Sequence, residues 1–239
     1  MIEPRHSYAE TRAAFRWRIP ARYGAALALA LALYGCVAAP PERTVVLIDP
    51  ATPIEAVWRH GVFDRATAYS ATTVDGQAAI RAVGQDSASG LYRRVRFAAT
   101  DCPWLDWRWR VDKLQDAADI RRRESDDVAA SLFFTFGKPE NGALPPTLRY
   151  VWTNDRVARG AVLDNPYHPG AVRVVVLESG TAELGRWVEE SRNLVDDFVR
   201  AFGRPPPGAV EMFALFTDND QTHQPVEAYY GPARARCGP

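Results

Sequence analysis

Asp218, Asn219 and Asp220, with Thr217 and Thr222 beside them, set oxygen-bearing side chains at alternate positions where an apolar strand ends. Such oxygens suit Ca2+, which takes roughly six to eight of them at about 2.3–2.6 Å. The run is half of an EF-hand loop and lacks its Gly and Glu. The competing reading is a turn in which Asp and Asn bond their own backbone. Asp126 and Asp127 stand at a strand entrance, after an Arg-rich run at 121–123, and are expected to pair with Arg192 or Arg108 inside the fold. Paired carboxylates hydrolyse glycosides only when both face one substrate across a cleft. Neighbours on a strand point to opposite faces, so hydrolysis would require Asp127 to join Glu190 or Asp218. Trp152 leads into the polar stretch Thr153-Asn154-Asp155-Arg156, where an exposed ring would stack on the apolar face of a sugar. Core packing is the alternative. The candidate ligand-binding set is therefore Trp152, Asp127, Arg192, Asp218 and Asp220. Tyr167-His168, in the loop DNPYHPG, is a further surface candidate or a plain turn.

Nucleophilic machinery is missing from the sequence. There is no GxSxG, no P-loop and no GxGxxG, and nothing in the sequence ties His60, His168 or His223 to a serine. No catalytic residue is assigned, and binding is the default expectation.

The elements that would position these residues read as strands. Short alternating or β-branched runs fall at 44–48, 67–73, 76–83, 104–111, 128–136, 148–153, 171–177, 209–217 and 226–230. Asp75-Gly76 between two of them is a hairpin signal. In 104–111, Leu105, Trp107, Trp109 and Val111 share one face, and Asp106, Arg108 and Arg110 the other. Two stretches look helical, 112–122 and 194–202, the second closed by Gly203 and Pro205. Many short strands with few helices imply a mainly-β single sandwich of jelly-roll, carbohydrate-binding-like type.

Charge and cysteine usage speak to location. Lys and Arg number 29 against 29 Asp and Glu, but residues 1–35 hold five Arg against two Glu, leaving 24 basic and 27 acidic groups in the rest. An acidic body whose only lysines are Lys113 and Lys138 argues against nucleic-acid binding. Ahead of it, four arginines lead into the apolar run YGAALALALAL at 23–33. Eleven residues of helix rise about 16 Å, too short to span a bilayer, so the pattern reads as an export signal. Leu33-Tyr34-Gly35-Cys36 resembles a bacterial lipobox, which implies cleavage before Cys36, acylation (palmitate among the chains) and anchoring in the bilayer. Val37 in place of Asp favours the outer membrane, facing the periplasm. The expected organisation is a signal peptide at 1–35, a tether at 36–43 and a sandwich at 44–239. The simpler alternative is plain secretion. With Cys36 lipidated, Cys102 and Cys237 remain, in an oxidising compartment, either bridged or as free thiols.

Trp107-Arg108-Trp109, Asp126-Asp127, Tyr150-Val151-Trp152, Trp187 with Glu190-Ser191-Arg192-Asn193, Asp196-Asp197, Phe202-Gly203 and Thr217-Asp218-Asn219-Asp220 resemble a bacterial family of exported proteins catalogued as domain of unknown function 3047. The likeness runs from about residue 54 to 231. The family pattern has an Arg early in the strand after the paired Asp, where this chain has Ala129-Ala130-Ser131, so any site using that Arg is altered here. The resemblance implies one domain and no particular activity. Together these readings predict a lipid-anchored envelope protein that binds a glycan or other envelope ligand, needs no cofactor and optionally holds calcium. The alternatives are an envelope polysaccharide hydrolase and an assembly lipoprotein binding another envelope protein.

Overall fold

A computed structural model describes residues 43–238. The expected export signal, Cys36 and most of the expected tether lie outside the described residues. Thirteen strands follow in order: β1 (Arg43–Ile48), β2 (Arg59–Val62), β3 (Ala68–Val74), β4 (Gln77–Val83), β5 (Ala88–Phe97), β6 (Trp104–Lys113), β7 (Ala130–Phe136), β8 (Thr147–Thr153), β9 (Val162–Asp164), β10 (Val172–Ser179), β11 (Val188–Asn193), β12 (Val210–Asp218) and β13 (Glu227–Cys237). Two short helices accompany them, α1 (Ile54–Val57) and α2 (Leu194–Phe202). One sheet runs β11-β6-β13-β4-β3, with β1 also paired to β13. The other runs β2-β5-β12-β7-β8-β10-β9. The result is a mainly-β sandwich, as the strand pattern implies.

Period-two patterning explains the core. Leu105, Trp107, Trp109 and Val111 of β6 are buried, and so are Leu132, Phe134 and Phe136 of β7 and Leu148, Tyr150 and Trp152 of β8. The rings interlock across the two sheets: Trp107 lies 5.4 Å from Tyr150 and Trp109 lies 6.1 Å from Trp152, centroid to centroid. Each such side chain contributes roughly 1.5–3 kcal/mol by leaving water. The β3–β4 hairpin turns at Asp75 (φ 52°) and Gly76 (φ 74°), the two positive angles that its tight turn requires.

The helix at 194–202 forms as expected. Asn193 caps it by accepting from the Val195 and Asp196 amides, and Gly203 ends it in the left-handed region (φ 68°). The helix expected at 112–122 does not form. β6 extends to Lys113, and beyond it the chain crosses the outside of the seven-stranded sheet with a single 3-10 turn at Arg123–Ser125. Tertiary hydrogen bonds hold it there in place of helical ones. Asn154 Nδ2 donates to the Gln115 and Ala118 carbonyls, and Gln115 Nε2 to that of Asp218. Cys102 and Cys237 form a disulfide. It fixes the end of β13 beside the start of β6 and closes a separation of 135 residues.

Candidate functional site

The outer face of the seven-stranded sheet is half covered and half open. Ile120 and Val128 of the crossing loop, with Val157, pack on Val151 of β8 and on Val174 and Val176 of β10 in a small second core. That loop and the segment around Val157 therefore cover β10 and the Val151 end of β8, while β5, β12, β7 and the Thr147–Arg149 end of β8 stay open. Between wall and open strands lies a groove of about 1440 Å3. From Asp218 to Met212 along β12, six residues at about 3.3 Å each give it a length of about 20 Å.

Outward-facing positions of successive strands line it: Gly90, Tyr92 and Arg94 of β5, Met212, Ala214 and Phe216 of β12, Phe133 and Thr135 of β7, and Thr147 and Arg149 of β8. Phe63 and Tyr167 add rings at its edges, 82% and 41% exposed. Phe216 is the hub, with Phe63 at 5.8 Å and Phe133 at 6.0 Å. Small residues keep the floor low. A Cβ on Gly90 would stand 2.7 Å from the Leu215 carbonyl oxygen and from Phe216 Cδ2, so the backbone there approaches closely enough to require glycine.

One end of the groove is acidic. Asp126, Asp218, Asp220 and Gln221 line it, with Asn165 and Tyr167 beside them. Arg149, 3% exposed, donates from Nη1 to Asp126 Oδ2 at 3.4 Å and lies over the Phe133 and Phe216 rings at 5.1 and 6.0 Å. Burial pushes the Asp126 carboxyl up to about 6 against the opposing pull of Arg149. Burial likewise drives Asp218 well above the usual carboxylate range, helped by Asp126 and Asp127 and opposed by Arg149. Asp220 is raised by burial and by Asp127. Asp126 Oδ1, Arg149 Nε, Asp220 Oδ1 and Gln221 Oε1 are buried with no hydrogen-bond partner.

The structure gathers three of the five sequence candidates here. Asp127, Asp218 and Asp220 bring carboxylate oxygens within 4.8 Å of one another, a set that could hold a metal ion. Asp127 is fully buried and accepts from the Gln221 and Thr222 amides, and Asp218 accepts from the Val128 amide. The other two are elsewhere. Trp152 sits on the inward face of β8, wholly buried against Trp109, with Nε1 donating to the Gly180 carbonyl. Its ring has no surface to offer a sugar, so it is a core residue. Arg192 is at the far sheet, clamped on Asp197, which also accepts from the Tyr150 hydroxyl. Neither it nor Arg108, which lies over Trp187, pairs with Asp126 or Asp127; Arg149 takes that role. Glu190 faces Glu178 and does not line the groove.

Tyr167 and His168 do line it. His60 Nε2 meets Ser89 Oγ at 2.8 Å, but Ser89 is wholly buried and accepts from the Thr67 amide, which leaves no room for attack on a substrate. Sequence reading missed Arg149, Phe133, Phe216 and Tyr92. The signal was parity: Arg149 stands opposite in phase to Leu148, Tyr150 and Trp152, the one charged residue of β8 and on its outer face.

A family model described as protein of unknown function (DUF3047) matches residues 56–234. No curated protein matches the chain in sequence. Among solved structures, it is similar to the family 11 carbohydrate-binding module of the cellulosomal cellulase Lic26A-Cel5E of Clostridium thermocellum, at 8% identity and a TM-score of 0.43, covering 84% of this chain and 96% of that one. It is also similar to the endoglucanase cel12A from Rhodothermus marinus, at 10% identity and a TM-score of 0.46, over 77% and 93% of the two chains. The xyloglucanase domain of NopAA from Sinorhizobium fredii aligns at 7% identity and a TM-score of 0.45, over 82% and 98%. Likenesses this distant carry no information about ligand or activity.

Proposed function

The chain belongs to the DUF3047 family, and on that footing we propose that it is an envelope protein whose seven-stranded sheet binds a glycan along its outer groove. One observation carries the reading: an open groove about 20 Å long keeps the rings of Phe63, Tyr92, Phe133, Phe216 and Tyr167 at its surface instead of in the core. Exposed apolar surface gathered in one cleft marks a ligand groove, and about 1440 Å3 exceeds the roughly 300–1,000 Å3 of ordinary small-molecule pockets. Rings that stack on sugar faces, with the exposed Arg94, Lys138 and His168 alongside to exchange hydrogen bonds with hydroxyls, suit an extended polar chain with apolar faces. The acylated Cys36 would present this groove at the outer membrane, toward the periplasm. Two experiments test the reading. Affinity electrophoresis against envelope polysaccharides should retard the wild type, while Ala214→Trp, which fills the centre of the floor, should migrate as in a blank gel; equal retardation of both proteins would remove the groove from the account. Cys36→Ser should move the protein from the membrane to the soluble periplasmic fraction, and unchanged partitioning would remove the anchor.

A further inference from the structure

We propose that the acidic end of the groove is a Ca2+ site, held by one carboxylate oxygen each from Asp127, Asp218 and Asp220 and completed from Asp126, Gln221 and water. The first support is geometric. Oxygens bound to one Ca2+ at about 2.4 Å each lie no more than about 5 Å apart, and those of the three aspartates all lie within 4.8 Å of one another. The second comes from Asp126 and Gln221, which lie outside that cluster. Asp126 Oδ1 is buried without a donor, on a residue only 4% exposed that lines the same end of the groove, and the buried Asp220 Oδ1 and Gln221 Oε1 likewise lack donors. All three are oxygens with lone pairs to give, and a folded protein leaves few such atoms empty. A cation at this end of the groove would supply the missing partner.

The donor set selects the ion. Every candidate ligand is a carboxylate or amide oxygen, which suits a hard cation and not zinc or copper. A ligand set drawn from one strand end, one strand entrance and the Asp220–Gln221 turn is irregular, which Ca2+ tolerates and the near-octahedral Mg2+ does not. The backbone amides of Gln221, Thr222 and Val128 aim the Asp127 and Asp218 carboxylates and leave each oxygen a free lone pair. Four aspartates face one arginine, Arg149, paired with Asp126 at 3.4 Å, so a divalent ion finds acidic groups left to neutralise. The inference rests on this corner of the fold and not on the identity of a glycan.

The test uses the full chain, stripped with EDTA, with no glycan present. Calorimetric titration with CaCl2 should show one saturable site. Thermal melts should rise by about 5–10 °C when Ca2+ reaches roughly a hundredfold excess over its Kd, with Mg2+ giving a smaller rise. Asp220→Asn, a change on the half-buried member, should weaken Ca2+ binding roughly tenfold or more through the lost ligand charge while melting cooperatively in EDTA. If that variant fails to fold, Gln221→Ala serves in its place, with weakened binding expected. No heat and no shift at roughly millimolar Ca2+, or undiminished affinity in the folded variant, would overturn the proposal. Because glycan is absent, either result leaves the groove reading separately testable.

Discussion

Glu190→Gln should make the protein more stable at alkaline pH. Glu190, 8% exposed on β11, faces Glu178, 4% exposed on β10, where the exposed Arg159 reaches Glu178 at 2.9 Å. Burial, then repulsion from Glu178, pushes Glu190 up to about 7 from an ordinary 4.5. Between those two values the unfolded chain has released the proton while the folded chain retains it. Stability therefore falls as pH rises through the window and levels off above it. The difference amounts to about 3 kcal/mol at full effect. A glutamine stays neutral throughout, and its amide can still donate to Glu178. Urea melts of both proteins at pH 5, 6, 7 and 8 isolate the group, because slopes contributed by Asp126 and Asp218 cancel in the difference. The variant should gain on the wild type progressively, reaching about 3 kcal/mol, or roughly 6–12 °C in Tm. Parallel profiles across this range would refute a proton held by the pair.

Other perturbations separate core from groove. Trp152→Ala should cost about 3–5 kcal/mol by opening a cavity beside Trp109, with glycan binding per folded molecule unchanged; chemical denaturation and binding on the same sample check both. Gly90→Ala should cost about 1–3 kcal/mol, because its Cβ stands 2.7 Å from Phe216 Cδ2 and the Leu215 carbonyl, and should weaken ligand binding by displacing the Phe216 ring. Replacing Cys237 by Ala releases a loop of 135 residues and should lower stability by up to about 5 kcal/mol, seen as a lower Tm that reductant reproduces in the wild type.

Where patterning was periodic, the sequence announced the fold. The alternation of β6 placed Leu105, Trp107, Trp109 and Val111 inside, and Gly203 with Pro205 closed α2. Where tertiary contacts decided, it did not. The helix-like 112–122 run yields to side chains of Asn154 and Gln115 that capture backbone groups across the fold. β5 escaped notice because Ser87, Ser89 and Gly90 give its start the composition of a loop, although it is a central strand. Asp127, Asp218 and Asp220 were legible as acids near strand ends, and the strand pairing brings them together. Trp152 misled because its position at a strand end suggested exposure, whereas its parity with Leu148 and Tyr150 fixes it inside. The groove was invisible to local reading, since its wall and floor come from six strands and several loops spread from Gly61 to Gln221. Its defining residues are as often small as aromatic.

Mapping a bound oligosaccharide by amide chemical-shift perturbation tests the central claim most directly. Titration of isotopically labelled protein with an oligosaccharide from a retarding polysaccharide should perturb the outward positions of β5, β12 and β7, above all Tyr92, Ala214, Phe216 and Phe133, and the wall at Tyr167. The six-stranded sheet should remain still. Perturbations centred on β3, β4 and β13, or none at saturating ligand, would contradict a glycan-binding groove on the seven-stranded face.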